Sequence, residues 1–375
     1  MNQNPPVWGS VAWAPLPRLE SNASADVCVV GLGGSGLTCV NELVACGASV
    51  IGIDASTVAD GAAGRNGGFL LAGIAAFYHD AVASMGRERA RGIYCETLDE
   101  LDRIAFETPD HVRRVGSLRI AASAEEEADC HAQYVAMRAD DLPVELYDGP
   151  EGRGLLMPTD AAFEPLDRCR ALATNAIGGG ARLYEHTAAI AITGNEVLVS
   201  TGARVSCRCV VVAVDGNLEG VFPELSNEVR SVRLQMAASA PDHNVTLTRP
   251  VFYRYGLDYW QQLSDGRVVL GGGRDVGEDD EWTTSVETTE KVQRYLDDLL
   301  RNTVGVSATV THRWAATVSF TRNSPTPLLK EVRQDVWVIG AYSGTGNVVG
   351  ALYGRRAAGK AIEILETVSR RRAAV

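Results

Sequence analysis

Three glycines with the spacing G-x-G-x-x-G, at positions 31, 33 and 36, form the pattern in this sequence that most directly indicates chemistry. Glycines at this spacing permit a tight turn, close approach of a pyrophosphate to the backbone, and close packing of a helix on a strand. A predicted buried strand, Asp26–Val30, precedes them, and a predicted helix follows. The phosphates would lie on backbone N–H groups at the positive end of that helix. A second predicted strand ends in Asp54, which can accept hydrogen bonds from a ribose. The pattern predicts a dinucleotide site and leaves NAD and FAD open.

A second glycine-rich segment, Gly61–Gly68, has the sequence GAAGRNGG. In a simple NAD-dependent dehydrogenase the second strand leads directly into another helix. Here it leads into a loop with too few side chains to pack by itself. Such a loop suits backbone that lies against a flat ring system, and Arg65 and Asn66 can offer hydrogen-bond donors. This segment favours a flavin over a nicotinamide.

The two glycine-rich segments together resemble the D-amino-acid-oxidase-like FAD-dependent oxidoreductases. Within them the closest resemblance is to the glycine oxidase, sarcosine oxidase and γ-glutamylputrescine oxidase group. Three later segments carry the resemblance in the same order, at about 159–192, 209–217 and 336–354. The resemblance implies FAD contacts at Gly31, Gly33, Gly34, Ser35, Gly36, Asp54, Ala55, Arg65, Asn66, Gly67, Gly68, Ala189, Gly216, Gly344, Thr345, Gly346, Asn347 and Val348.

The resemblance also implies how FAD is held. A helix that begins after the Gly344–Asn347 turn would stabilise negative charge at the pyrimidine edge of the flavin. Members of the family that attach FAD covalently use a late cysteine or an early histidine. The last cysteine here is Cys209 and the first histidine is His79. We therefore expect non-covalent FAD.

The predicted fold class is α/β plus α+β. A discontinuous Rossmann-like FAD-binding domain would carry an inserted substrate domain built on an antiparallel sheet. Trp8 and Trp13 would lie against the body from an extended arm, and residues 80–107 would form one amphipathic helix. The predicted ranges are 25–75, 150–230 and 310–375 for the FAD-binding domain, 76–149 and 231–309 for the substrate domain, and 1–24 for the arm.

The candidate substrate-binding residues come from an aromatic part of the predicted substrate domain. In a continuous strand Arg254 and Tyr253 would face opposite ways, and each could equally serve sheet packing. No catalytic residue is assigned, because the flavin supplies the chemistry. The candidates in this part are Tyr253, Arg254, Tyr259 and Trp260.

Arg322 is a further candidate, and it comes from a departure from the family pattern. Glycine oxidases carry a carboxylate-binding arginine just after a W-A-G motif. This chain has Trp314-Ala315-Ala316-Thr317-Val318, so the matching arginine is missing. Arg322 could substitute for it. The departure weakens the case for simple α-amino acid recognition.

Composition excludes other classes of function. The 375 residues carry a formal net charge of −12, which argues against nucleic acid as the main partner. No apolar run approaches the roughly 18 residues of a membrane span. The eight cysteines show no zinc-like spacing, and no secretory signal is evident, so we expect a cytoplasmic protein with reduced thiols and no metal.

The predicted function is FAD-dependent oxidation of an amino acid or secondary amine. A hydride would pass from the C–H beside the amine to flavin N5, and the imine would hydrolyse. O2 or another acceptor would take the electrons, with H2O2 as the product from O2. A glycine-oxidase-like form would cleave an N-substituted glycine to glyoxylate and a free amine. The alternatives are a γ-glutamylputrescine or polyamine-type oxidase, a nicotinamide-dependent dehydrogenase and a non-catalytic flavin-binding protein.

Overall fold

The computed structural model describes residues 5–10 and 12–373, with side chains up to residue 367. The chain forms two compact units, named here for their largest sheets. The eight-stranded unit comprises the described residues up to Gly9, Arg65–Pro165 and Ser231–Val318. The six-stranded unit comprises Ser10–Gly64, Leu166–Arg230 and the described residues from Ser319 onward.

The structure is a mixed α/β fold with several sheets. Its strands are β1 (Ala23–Ser24), β2 (Val27–Val30), β3 (Val50–Ile53), β4 (Phe69–Leu70), β5 (Val112–Arg113), β6 (Ser117–Ile120), β7 (Glu145–Gly149), β8 (Gly152–Met157), β9 (Ala161–Phe163), β10 (Arg182–Tyr184), β11 (Ala189–Ile192), β12 (Glu196–Val199), β13 (Arg204–Ser206), β14 (Cys209–Val212), β15 (Val229–Ser239), β16 (Val251–Tyr253), β17 (Asp258–Gln262), β18 (Val268–Gly271), β19 (Val310–Thr321), β20 (Leu328–Arg333) and β21 (Val336–Gly340). Its α-helices are α1 (Gly34–Ala45), α2 (Tyr78–Met85), α3 (Arg87–Glu107), α4 (Ala124–Ala139), α5 (Pro165–Gly178), α6 (Leu218–Val221), α7 (Arg274–Gly277), α8 (Glu290–Asp298) and α9 (Val349–Ala373).

The six-stranded unit is organised by a sheet of order β10-β3-β2-β14-β21-β20. Its first five strands are parallel, and β20 pairs antiparallel with β21. The strands VCVV and CVVV are buried at every position, as parallel strands covered on both faces must be. Helices α1 and α9 pack on each other, and a smaller sheet of order β1-β13-β12-β11 completes the unit.

The eight-stranded unit contains a sheet of order β19-β15-β18-β17-β16-β6-β8-β7 and a three-stranded sheet of order β4-β9-β5. In the large sheet β6 and β16 run parallel. The pairs β6–β8, β16–β17, β17–β18 and β15–β18 are antiparallel. One apolar core joins the sheet to α8 and includes Trp260, Leu270 and Leu296. A second core joins α2, α3 and α4.

Two local predictions were wrong, and glycine or turn geometry explains both. The predicted single helix over 80–107 is divided into α2 and α3, because Gly86 adopts φ +87° and ends one helix as it begins the next. The strand expected to run through Arg254 to Gly256 ends at Tyr253. Arg254 and Tyr255 have φ +50° and +56°, which makes a left-handed turn.

The boundaries of the two units differ from the boundaries of the predicted domains. Residues 65–75 and 150–165 belong to the eight-stranded unit. The predicted arm is divided at Gly9, with Trp8 in the eight-stranded unit and Trp13 in the six-stranded unit. Residues 1–4, 11 and 374–375 of the predicted ranges lie outside the described residues.

Candidate functional site

The G-x-G-x-x-G turn lies in the six-stranded unit, where β2 passes into α1. Gly31 has φ +100°, and a Cβ there would lie 2.6 Å from the carbonyl oxygen of Ala213. A Cβ on Gly36 would lie 1.9 Å from the oxygen of Gly31. Glycine is therefore required at both positions, because backbone fills the space that a side chain would need.

The N-terminus of α1 meets the requirements of a phosphate site. Its N-cap, Gly33, supplies no capping side chain, and the first turn contains no acidic residue. A Cβ on Gly34 would meet only the Nη1 of Arg168, at 3.9 Å, so the approach to these N–H groups is open. A helix N-terminus with a buried arginine nearby suits an anionic pyrophosphate.

Asp54 follows β3 and holds the neighbouring backbone. Its Oδ2 accepts from the N–H of Leu32 at 2.8 Å, and its Oδ1 accepts from the N–H of Ser56 at 2.9 Å. Burial raises the pKa of this carboxyl group. Ala55, the next residue, is exposed. Asp54 therefore has a structural role, whereas its predicted contact with a ribose stays a prediction.

The Gly344–Val348 segment forms a tight turn ahead of α9. The N–H and hydroxyl of Thr345 both donate to the carbonyl of Tyr342, at 3.0 and 2.8 Å. Ala341 and Ser343 have φ +56° and +52°, and Gly344 has φ +89°. Non-glycine residues with positive φ carry a conformational cost and often occur at functional sites.

Asp215 is a residue of this region that sequence analysis missed. Its carboxylate accepts from the N–H of Ala341 at 2.6 Å and from the N–H of Ser319 at 3.2 Å. Burial raises its pKa to about 6. Gly216 lies beside it in a short 3-10 turn, whereas Ala189 pairs with Val199 in the smaller sheet of the unit. Asp215 thus holds the backbone of the strained Ala341–Gly344 turn, whereas the predicted contact of Gly216 with FAD stays a prediction.

In the eight-stranded unit, side chains that are distant in sequence donate hydrogen bonds to the backbone of Arg65–Gly68. Indole Nε1 groups donate to two carbonyls of this segment: Trp314 to Arg65 at 2.8 Å, and Trp8 to Asn66 at 2.9 Å. The Nε2 of Gln261 donates to the carbonyls of Gly67 and Gly68, at 2.5 and 2.9 Å. All four carbonyls of the segment therefore accept a hydrogen bond from a tryptophan or glutamine side chain.

The two glycines of this segment are closely packed. A Cβ on Gly67 would lie 3.0 Å from the ring of Tyr259. Gly68 has φ +75°, and a Cβ there would lie 2.5 Å from the Nε2 of Gln261. The Oδ1 of Asn66 accepts from the N–H of Gly68 at 2.9 Å, which closes an Asx turn. Gly61–Gly68 is therefore not a flexible linker at its C-terminal half.

Of the predicted substrate residues, Tyr259 lies on the face of the large sheet that contacts Gly67. Strand register places Phe252 beside Tyr259, and their rings stack at 6.0 Å. Trp260 follows Tyr259 in β17 and therefore points to the opposite face. There it packs with Tyr253, at 5.5 Å between ring centroids, in the core shared with α8. The structure does not bring the four aromatic-region candidates together.

The two arginine candidates are engaged in other contacts. Arg254 donates to Asp258 at 2.6 Å and forms a two-pronged ion pair with Asp275 at 3.0 and 3.1 Å. Arg322 belongs to the six-stranded unit, where its Nε lies 3.4 Å from the carbonyl of Val229. These contacts engage both arginines within the fold, whereas their predicted contact with substrate stays a prediction.

In the described part of the chain no three His, Cys, Asp or Glu side chains are placed to hold a metal ion. Within the same residues, no helix combines the length and apolarity needed to cross a membrane.

The chain was compared with protein families and known proteins. The model of the FAD dependent oxidoreductase (DAO) family matches residues 26–359. A probable oxidoreductase OrdL of Rhizobium meliloti is 26% identical over 93% of this chain and 86% of its own length. The gamma-glutamylputrescine oxidoreductase of Escherichia coli is 26% identical over 92% of this chain and 85% of its own length.

A solved structure shares the fold. The crystal structure of glycine oxidase from Geobacillus kaustophilus matches with a TM-score of 0.69 and 19% identity, over 89% of this chain and 93% of that one. The family match spans nearly the whole chain and agrees with the open helix N-terminus at Gly34 and the conformationally fixed Arg65–Gly68 segment. The chain belongs to the FAD-dependent oxidoreductase family and is an FAD-dependent amine or amino-acid oxidase.

Proposed function

We propose that this chain oxidises the C–N bond of an amino acid or secondary amine with non-covalently bound FAD. The observation that carries the proposal is the Arg65–Gly68 segment, whose carbonyls are all bound by Trp8, Trp314 and Gln261. When bound, FAD supplies a hydride acceptor for the C–H beside the amine nitrogen. O2 is the proposed final acceptor, with H2O2 as product.

Separate groups of residues would contact the parts of FAD. The N–H groups at the start of α1, next to Gly33, would bind the pyrophosphate. Asp54 and Ala55 would contact the ribose side, Ala189 and Gly216 would contribute backbone, and the Gly344–Val348 turn would stabilise negative charge on the flavin. Arg65–Gly68 would lie along the isoalloxazine.

The residue with the strongest claim to contact substrate is Tyr259. Its ring packs on Gly67 and between Phe69 and Phe252, with ring centroids 5.9 and 6.0 Å away. This aromatic surface would exclude water and hold the reacting C–H in position. Burial raises the pKa of the Tyr259 hydroxyl, so Tyr259 acts as a neutral hydrogen-bond donor and not as a base.

Two specific forms of the reaction compete. In one, an N-substituted glycine is cleaved to glyoxylate and a free amine, as the resemblance to glycine oxidases suggests. In the other, the amine belongs to a γ-glutamylputrescine-like or polyamine substrate. The second form is supported by the similarity to gamma-glutamylputrescine oxidoreductase and by Ala316–Val318, which lack the arginine of glycine oxidases.

The first experiment measures the cofactor. Purified protein should be yellow, and heat or acid should release the flavin from it. Retention of the flavin after denaturation would contradict non-covalent binding. A colourless protein that cannot be reconstituted with FAD would contradict the proposed function altogether.

The second experiment measures the reaction. Under anaerobic conditions the flavin absorbance should bleach with one of the following: glycine, sarcosine, N-alkylglycines, D-amino acids or polyamines. Tyr259→Phe should raise the KM for that substrate, whereas Tyr253→Phe, on the opposite face, should not. Protein that binds FAD and bleaches with no amine would support a non-catalytic flavin-binding protein.

A further inference from the structure

A small cavity in the eight-stranded unit is enclosed by α2, α3, β6 and the segment 71–76. Its volume is about 40 Å³, and it is lined by apolar side chains together with Tyr94, Arg119, Gln133 and Asp160. A buried water needs roughly 10–15 Å³ of such space, so the cavity has room for about three. Three heavy atoms are also the size of a carboxylate group. The hydrogen bonds of its polar residues indicate whether the cavity suits water molecules or a carboxylate.

Arg119 lines this cavity, and the carboxylates of Asp160 and Glu126 interact with it only over longer distances than an ion pair. Its Nη1 donates to the Oε1 of Gln133 at 3.1 Å, and its guanidinium carbon lies 4.3 Å above the ring of Phe77. No carboxylate oxygen lies within 4.0 Å of its nitrogens in the part of the chain that the structure describes. Burial lowers the pKa of Arg119, so the protein offers it little compensation for lost hydration. A half-buried guanidinium that lines a cavity and has donors left for a ligand is a site for an anion.

Tyr94 provides an independent observation. Its side chain is 5% exposed and lines the same cavity. Its hydroxyl is buried and has no hydrogen-bond partner among the described residues. Buried hydroxyl groups are almost always hydrogen-bonded, so an unpartnered one that faces a cavity indicates a missing ligand atom.

The remaining polar groups of the cavity are already bound. Asp160 accepts from the Oγ of Ser117 at 2.6 Å and from the N–H of Ala72 at 3.0 Å. The Oε1 of Gln133 accepts from the N–H of Tyr78 at 3.1 Å as well as from Arg119. The remaining donors of Arg119 and the hydroxyl of Tyr94 together match a carboxylate.

The cavity adjoins the proposed substrate surface. Strand register places Arg119 beside Phe252, and Phe252 beside Tyr259. Neighbouring strands are about 4.8 Å apart, so the backbones of Arg119 and Tyr259 are about 10 Å apart on one face of the sheet. Phe252 lines the cavity and stacks on Tyr259, which joins the two surfaces.

We propose that Arg119 and Tyr94 bind a carboxylate of the substrate, at the end remote from the oxidised C–N bond. The substrate class is then an amine that carries an acidic group several bonds from its nitrogen. The assignment rests on the proposed amine oxidation. A carboxylate ligand that is not a substrate would make the same contacts with Arg119 and Tyr94. The experiment below distinguishes such a ligand from a substrate.

The test uses the FAD-loaded enzyme and pairs of amines of equal length. One series contains ω-amino acids of three to six carbons, and the other contains the corresponding alkylamines. Bleaching of the flavin should show kcat/KM at least tenfold higher for one ω-amino acid than for its partner. Arg119→Met should remove that preference, so that the two series react at similar rates, and Tyr94→Phe should reduce the preference severalfold. Arg153→Met, an exposed arginine on β8, is the matched control and should change neither rate.

Calorimetry with glutarate gives a second, independent measurement. Glutarate should bind the wild-type enzyme, and Arg119→Met should weaken the binding at least tenfold. If Arg119→Met fails to fold, Arg119→Lys takes its place in the test. Lysine keeps the positive charge but cannot form two parallel hydrogen bonds to a carboxylate, so this variant should still bind glutarate more weakly than the wild type. Equal rates for the two amine series, together with binding of glutarate that depends on Arg119, would overturn the substrate assignment in favour of a free-anion site. Absence of glutarate binding would overturn the carboxylate site, even if amine oxidation is confirmed.

Discussion

Gly67 packs against the ring of Tyr259 so closely that a Cβ on Gly67 would lie 3.0 Å from both Cδ2 and Cε2. The two residues are far apart in sequence, and Gln261, in the same strand as Tyr259, binds the carbonyl of Gly67. The backbone predicted to contact the flavin and the aromatic ring predicted to contact substrate therefore fix each other's position.

Gly67→Ala should disturb this contact. The Tyr259 ring must move by a few tenths of an ångström, and overpacking of this kind costs about 1–3 kcal/mol. We expect a lower flavin content per protein and a lower kcat/KM, measured by absorbance and by anaerobic bleaching. Gly61→Ala is the control in the same segment, because a Cβ there meets nothing within 4 Å. Equal behaviour of the two variants would contradict the importance of the Gly67–Tyr259 contact.

Gly354→Ala should destabilise the packing of α9 on α1. A Cβ at this position would lie 2.3 Å from the carbonyl oxygen of Ser35, which is backbone and cannot move aside. We expect a loss of about 1–3 kcal/mol in the free energy of unfolding, measured by denaturant titration. Gly359→Ala, in the same helix, has open space and should stabilise by up to about 1 kcal/mol. A neutral Gly354→Ala would show that the two helices can separate at no cost.

Arg254→Gln tests whether this arginine binds substrate or holds the fold. Asp258 is fully buried and accepts from Arg254, from the hydroxyl of Tyr295 at 2.6 Å and from the N–H of Gly273 at 3.1 Å. Loss of the arginine leaves that carboxylate short of a partner, and we expect about 2 kcal/mol of destabilisation with an unchanged KM. Asp275→Asn, which removes only the partly exposed partner, should cost less than about 1 kcal/mol. A raised KM with unchanged stability would instead make Arg254 a substrate ligand.

Asp160 should make stability depend on pH. Burial raises its pKa from the ordinary value of 3.8 to about 6, and Arg119 and Tyr94 are the other titratable groups that it interacts with in the cavity. Between these two pH values the folded state holds a proton that the unfolded state releases. The contribution of Asp160 to the free energy of unfolding is therefore greatest below pH 4 and is lost as the pH rises to about 6.

Denaturant unfolding of Asp160→Asn and the wild type at pH 4, 5, 6 and 7 measures this effect. The free-energy difference between them should shift in favour of Asp160→Asn as the pH rises to about 6 and then stay constant. The ionised carboxylate also opposes an anion in the cavity, so glutarate should bind the wild type more weakly at pH 7 than at pH 5. A pH-independent difference in stability would mean that Asp160 titrates normally.

Sequence alone predicted the features that depend on local backbone. The G-x-G-x-x-G turn could be identified because its glycines answer to local backbone geometry: Gly31 has φ +100°, and a Cβ on Gly36 would lie 1.9 Å from the oxygen of Gly31. The apolar run of β2 likewise predicted a buried strand. Alternation along β17 required Tyr259 and Trp260 to point to opposite faces, but it did not decide which face contacts Gly67.

Tertiary structure decided the features that join distant residues. Trp314 and Gln261 bind a segment that precedes them by 249 and 194 residues, and no local pattern relates them to it. The turn at Arg254 and its ion pairs depend on Asp258 and Asp275 being folded around it. Arg119 gave no signal in the sequence, because an arginine becomes an anion site only when packing places it in a cavity with no carboxylate at ion-pair distance. Spacing along the chain determines backbone geometry, whereas charge balance and burial are set by which distant residues the fold brings together.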